Sequence, residues 1–244
     1  HGLAPPRHNS GFFIFSNHLL HCQPMNTPKL VALDFDGVVV TGSNEAYFDA
    51  YHMALEAVGV ELDPKVEHDR IIQGWGSGHI EQLEIILAEH PDLVERAGVV
   101  WLQLVEAPQF WDDVSIIDGC KEAIKLMAGS AHVAVVSGTR PHRIEEILKQ
   151  GGIGGVSAIY SSYDVESKLK KPHPHTLELA LKKFGVQPQD TIYVGDMVND
   201  IVMSRAAGTR PVAVLTGELD VPTAQSHDVE FIGENLLAVA KEYF

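Results

Sequence analysis

The chain has 244 residues, 45% of them hydrophobic and 21% charged, the balance of a globular protein with room for one substantial core and a smaller inserted unit. Its net charge of −15, with no run of lysines or arginines, argues against nucleic acid or an anionic membrane surface as partner. The two cysteines, Cys22 and Cys120, make neither a disulfide framework nor a metal-ligand spacing. With so few cysteines a reducing, cytoplasmic setting is the expectation, and no apolar stretch reaches the roughly 18 residues of a membrane span.

The first 24 residues carry four histidines (His1, His8, His18, His21) and one apolar run, Phe12 to Phe15, that ends at Ser16-Asn17-His18. A secretory leader needs a positive start and about 7–15 uninterrupted apolar residues, a pattern this segment fits poorly. Met25 reads as a natural start, and residues 1–24 are expected to be an upstream extension or a remnant of expression.

From Lys29 the pattern alternates. Lys29–Leu33 is an apolar run too short for a helix, and it ends in Asp-Phe-Asp-Gly. Residues 43–111 then break the rhythm with helical patterns at Tyr47–Val58, His79–Ala88 and Leu93–Val105 and no convincing strand. Lys65, beside Asp63-Pro64, reads as part of a connecting turn, and Gly74-Trp75-Gly76-Ser77-Gly78 as a turn between helices. Further on, strands are expected at His132–Val136, Ala158–Tyr160, Thr191–Val194, Val212–Leu215 and Val229–Ile232. Helices are expected between them at Cys120–Met127, Pro141–Lys149, Pro174–Phe184, Met197–Ala207 and Glu234–Tyr243. Pro141 and Pro174 suit a first turn, and Gly185 and Gly208 suit helix ends. This alternation predicts the α/β class, a doubly wound parallel sheet covered on both faces, with an all-helical insert after the first strand.

Ligands bind beyond the carboxyl ends of the strands in such a sheet. Asp34 and Asp36, leaving the first strand two residues apart, therefore stand at the expected mouth of a site, and Gly37 lets the chain turn beside them. Asp196 leaves the strand Thr191–Val194 at the same edge, with Asp200 one helical turn on. So many carboxylates at one edge repel one another unless a hard divalent cation sits among them, and Mg²⁺ beside a phosphate is the usual solution. The blander alternatives are a solvated Asp-Gly turn and a helix cap at Asp196. Ser137-Gly138-Thr139, before the helix at Pro141, offers a hydroxyl and free N–H groups to an anion, or a plain cap. Lys171 precedes the helix near Pro174 and offers a cation to a phosphate, or is simply exposed. Gly151–Gly155 follows a helix and not a strand, so it is read as a helix stop.

Taken in order, DFDGV (34–38), Ser137 in VVSGT, Lys171 in KKPHP and GDMVND (195–200) resemble the four motifs of the haloacid dehalogenase-like hydrolase superfamily, in its phosphatase branch. The resemblance spans about residues 29–217 and implies a Rossmann-like core of residues 25–42 and 112–244, with residues 43–111 as a helical cap of the C1 type. It implies that Asp34 attacks phosphorus to form an aspartyl-phosphate, and that Asp36 protonates the leaving alkoxide and then takes a proton from water. Mg²⁺ would be held by Asp34, the backbone carbonyl of Asp36, Asp196 and Asp200, the last directly or through water. Ser137, Gly138 and Lys171 would hold the phosphoryl oxygens. Dehalogenases lack a carboxylate at the Asp36 position, which favours phosphoryl transfer here. β-Phosphoglucomutases carry a histidine where this chain has Ala46, the nearest candidate being His52, and phosphonatases use a cap lysine, for which Lys65 alone is available. A catalytically retired, phosphate-binding regulatory protein is a further alternative. The substrate expected is a small phosphate ester. Phosphoglycolate, a sugar phosphate and a nucleotide are all compatible, the stretch around GDMVND resembling phosphoglycolate phosphatases. Trp75, His79 and Arg70 are the candidate specificity residues.

Overall fold

In a computed structural model, the structure describes residues 26–244 except 164, so the extension expected at residues 1–24 lies outside the described residues. Strand β1 (Leu30–Leu33) is wholly buried and lies at the centre of a six-stranded sheet. Around it run β4 (His132–Ser137), β5 (Ala158–Ser161), β6 (Thr191–Gly195), β7 (Arg210–Val214) and β8 (Phe231–Gly233), in the order β5-β4-β1-β6-β7-β8. Every pair in it is parallel.

Alternate residues of β1 serve opposite faces, as the two-residue period of a strand requires. Val31 and Leu33 join a core with α5 (Cys120–Met127), α6 (Pro141–Gln150) and α10 (Leu236–Tyr243). Leu30 and Ala32 join another with α7 (His175–Phe184) and α8 (Val198–Ala206). The expected doubly wound α/β arrangement is what the chain adopts. Helix α9 (Val221–Ser226) was not among the expected elements; Asp220 caps it by accepting a hydrogen bond from Thr223 N at 2.8 Å.

Between β2 (Val40–Thr41) and β3 (Ser115–Ile116), which pair antiparallel, the chain is helical: α1 (Ser43–Val58), α2 (Pro64–Gly74), α3 (His79–Ile86) and α4 (Val94–Glu106). These helices bury an apolar cluster of their own, including Tyr51, Leu55, Leu83 and Trp101. The expectation of a connecting turn at Lys65 is corrected here. Asp63 accepts from Lys65 N at 3.0 Å and Val66 N at 3.3 Å, and Pro64 fills the first position, so a capped helix begins at this point.

Candidate active site

Register brings the site together. Leu33 of β1 is level with Val135 of β4 and Val194 of β6, so the residues that follow all three strands emerge at one rim. Asp34 continues this ladder, donating its backbone N–H to Val194 O at 2.9 Å. Asp34, Asp196 and Asp200 are buried, and each offers a carboxylate oxygen within 4.8 Å of the others. Lys171, itself buried, lies among them, with Nζ 2.9 Å from Asp34 Oδ1 and 2.9 Å from Asp200 Oδ1.

Burial drives the electrostatics. Removal from water, helped by the charges of Asp200 and Asp36, raises the Asp34 carboxyl to about 7 against the pull of Lys171. Burial and the charges of Asp200 and Asp34 push Asp196 well above the carboxylate range. Burial works against the charge of Lys171, but Asp200 and Asp34 outweigh it and hold the ammonium protonated. Such a cluster, under-neutralised by one lysine, fits a hard divalent cation.

The acids are not equivalent. Asp200 accepts from Lys171 Nζ, from Tyr193 Oη at 3.2 Å, and from the backbone N–H groups of Asp196 and Met197 at 3.2 Å each. That fills the roughly four lone-pair directions of a carboxylate, so Asp200 fixes the loop and the lysine and has little left for direct ligation. Asp196 does not cap the following helix. It accepts instead from Glu218 N at 3.3 Å, and it is hemmed in by two glycines. A Cβ at Gly37, whose φ is +70°, would lie 2.3 Å from Asp196 Oδ2, and one at Gly217 would lie 1.8 Å from it. Only bare backbone fits at either point.

Asp36 stands slightly apart. Its Oδ2 accepts from Thr139 Oγ1 at 2.5 Å and, at the limit of 3.5 Å, from Ser137 Oγ, while Oδ1 is buried with no partner. Ser137 Oγ also accepts from Thr139 N at 3.1 Å, which ties the hydroxyl to the turn before α6. Thr139 is thus a site residue not singled out from the sequence, although it stands in the SGT tripeptide.

These groups line one cavity of about 1130 Å³, counting the part open to solvent, between the strand ends and the helical insert. Gly138, Trp75 and His79 lie on its wall. Arg70 does not belong there: its guanidinium is paired with Glu89 at 2.6 Å and donates to Ile86 O at 2.8 Å. Arg70→Ala should accordingly leave KM for any phosphate ester unchanged and cost about 1 kcal/mol of stability or less, measured by steady-state kinetics and urea unfolding. Lys65 pairs with Asp69 and His52 with Glu67; Lys65 and His52 are exposed, and neither pair is on the cavity wall. Residues missed from the sequence include Arg140, which pairs with Glu106 and lies over the Tyr163 ring at 4.2 Å, and Asn199, which donates to Trp75 O at 2.7 Å. Both tie the core to the insert, and sequence separation hid both.

A family model described as haloacid dehalogenase-like hydrolase matches residues 28–208. Among curated proteins, the phosphoglycolate phosphatase of Haemophilus influenzae (strain 86-028NP) is 24% identical over 219 residues, 83% of this chain and 93% of the relative. The pyrophosphatase PpaX of Oceanobacillus iheyensis is 29% identical over 112 residues, 46% of this chain and 52% of the relative. Among solved structures, a haloacid dehalogenase-like hydrolase from Bacteroides fragilis superposes with a TM-score of 0.75 at 19% identity, over 87% of this chain and 99% of that one. With the matched segment spanning four of the six strands of the sheet, the insert and all four motifs, the chain belongs to the haloacid dehalogenase-like hydrolases.

Proposed function

We propose that the protein is a Mg²⁺-dependent phosphatase that hydrolyses a small phosphate monoester through an aspartyl-phosphate on Asp34. The observation that carries this reading is the buried meeting of Asp34, Asp196 and Asp200 around Lys171, with a fourth carboxylate, Asp36, beside them holding one oxygen unpaired.

Asp34 and Asp196 would hold the cation, with Asp200 fixing the loop from which Asp196 projects. Bound there, Mg²⁺ would supply charge neutralisation and in-line positioning of the phosphoryl group. Its charge also answers the elevated Asp34 carboxyl, which must be ionised to act as a nucleophile. In the first step a carboxylate oxygen of Asp34 bonds to phosphorus as the bond from phosphorus to the ester oxygen breaks. Asp36 gives its proton to that departing alkoxide. In the second step Asp36 takes a proton from water, the resulting hydroxide displaces Asp34 from phosphorus, and inorganic phosphate leaves. Thr139 orients Asp36 for both transfers, a role worth about 10²–10⁴-fold in rate for the acid–base residue it serves. Ser137, the backbone at Gly138 and Lys171 face the phosphoryl oxygens.

The helical insert is read as a cap of residues 43–111 over a core of 25–42 and 112–244, supported by its separate apolar cluster and by the short β2–β3 ladder at its base. A mutase reading has less support, because His52 is exposed and bound to Glu67, away from the cavity.

The test is turnover of p-nitrophenyl phosphate with Mg²⁺ and with the metal chelated. Phosphate release that is insensitive to chelation, or none at all, would overturn the reading. A second check uses pH. The raised Asp34 carboxyl holds a proton in the native, metal-free state between about 3.8 and about 7 that the unfolded chain has lost. Metal-free stability therefore falls as pH rises through that window. Magnesium competes with that same proton, so the rise in Tm on adding saturating Mg²⁺ should be small near pH about 5.5 and approach the equivalent of about 2–3 kcal/mol near pH about 8. An equal shift at both values, by calorimetry, would count against these ligands.

A further inference from the structure

Beyond the acids, the cavity wall is divided between aromatic rings and polar atoms without partners. All three tryptophans of the chain line it: Trp75, Trp101 and Trp111. Trp101 stacks on Tyr51 (centroids 5.3 Å apart, 30°) and on His79 (5.0 Å, 6°), and Trp75 stacks on Phe48 (4.9 Å, 21°). Rings braced in this way make a stiff apolar surface, suited to the C–H face of a ring-shaped ligand.

The polar atoms narrow the choice. Among the described residues, six buried side-chain polar atoms lack a hydrogen-bond partner, and four belong to residues of this one cavity: Asp36 Oδ1, Asn44 Oδ1, Trp101 Nε1 and Arg143 Nε. Each such orphan costs about 1–3 kcal/mol, so their gathering here points to a ligand that completes them. Asp36 is accounted for by the leaving oxygen. The remainder are two donors, Trp101 and Arg143, and the Asn44 amide, which accepts or donates according to how it is turned. A carboxylate can only accept, whereas a hydroxyl does both. Neither guanidinium on the wall is free to receive a second acid group, since Arg140 is already paired with Glu106, and Arg143 with Glu146 at 2.9 Å. The orphaned atoms are shut off from water, so a ligand could reach them only if the helical insert shifted to admit it.

Building on the phosphatase reading above, we infer that the leaving group is a neutral, polyhydroxylated ring. The substrate is then a sugar phosphate, in place of a two-carbon acid phosphate. Trp101, Asn44 and Arg143 are the specificity-determining residues that meet its hydroxyls.

The experiment compares kcat/KM of the full chain with Mg²⁺ on glucose 6-phosphate, phosphoglycolate, adenosine monophosphate and p-nitrophenyl phosphate. The sugar phosphate should exceed both phosphoglycolate and the nucleotide by about tenfold or more, as expected for a site whose polar groups go unpaired with the wrong ligand. A preference for phosphoglycolate or the nucleotide, or no preference, overturns this inference and leaves the phosphatase reading standing; no turnover of any of the four overturns that reading itself. Trp101→Phe keeps the ring and removes the N–H. It should lower the ratio of glucose 6-phosphate to p-nitrophenyl phosphate turnover about tenfold, the worth of one well-placed hydrogen bond. An unchanged ratio removes Trp101 from the role, and should the variant fail to fold, the comparison of substrates on the parent chain decides.

Discussion

Asp34→Asn is expected to lower turnover of p-nitrophenyl phosphate by on the order of 10⁴-fold or more, because it removes the proposed nucleophile and leaves only binding and charge stabilisation. The protein should nevertheless stay folded. With no metal, the native Asp34 carboxyl already sits at about 7, so near neutrality it is half protonated and an asparagine amide resembles the state it partly occupies. The amide also removes one of the charges crowding Asp196 and Asp200. Calorimetry in chelator should therefore show a Tm within a few degrees of the parent's, whereas kinetics show near-complete loss. Parent-like turnover in this variant would end the covalent mechanism.

The second large effect is on stability. Lys171→Met removes the cation that touches Asp34 and Asp200 at 2.9 Å each, deep in a site where that lysine is 7% exposed. Breaking a buried pair from one side typically costs about 3–5 kcal/mol, since the remaining charge is left unpaired. The sign of the pH dependence separates this cost from simple loss of packing. At low pH the carboxylates escape by taking protons, so the variant should be least impaired there and most impaired above about 7, where Asp34 ionises. Millimolar Mg²⁺ should return part of the lost stability at high pH and little at low pH. Urea unfolding at the two pH values, with and without the metal, reads all four conditions. A deficit indifferent to pH and metal would mean that the aliphatic stem of Lys171 matters more than its charge.

The sheet was legible in the sequence because its strands are short, apolar and punctuated. The apolar run Leu30–Leu33 is buried on both faces, and its abrupt end in two acids marks the rim where sites form. The convergence of Asp34 and Asp196 follows from that pattern because parallel register carries the exits of their strands to one edge. Helix α2 was obscured by Asp63-Pro64-Lys65, which satisfies the rules for a turn and for a capped helix start equally well; the apolar cluster under Ile71 decides between them, and a local window does not see that cluster. The same blindness explains Arg70, whose nearest acid in sequence is Asp69 and whose partner in space is Glu89. Thr139, Arg140, Asn199 and the wall residue Trp101 make contacts with residues far along the chain. Composition and spacing carry no trace of such contacts until the insert is folded over the sheet.

Gly217 shows how a residue outside the chemistry can be as constrained as the acids within it. A single methyl group there would strike the Asp196 carboxylate, and Gly37 crowds the same oxygen from the other side. In a saturation library, position 217 should therefore tolerate glycine alone for activity, while its neighbour Glu218, which reaches Asp196 only through its backbone N–H, accepts most side chains. Conventional searches for active-site positions, which look for reactive side chains, would pass over 217 entirely; its role is to be empty.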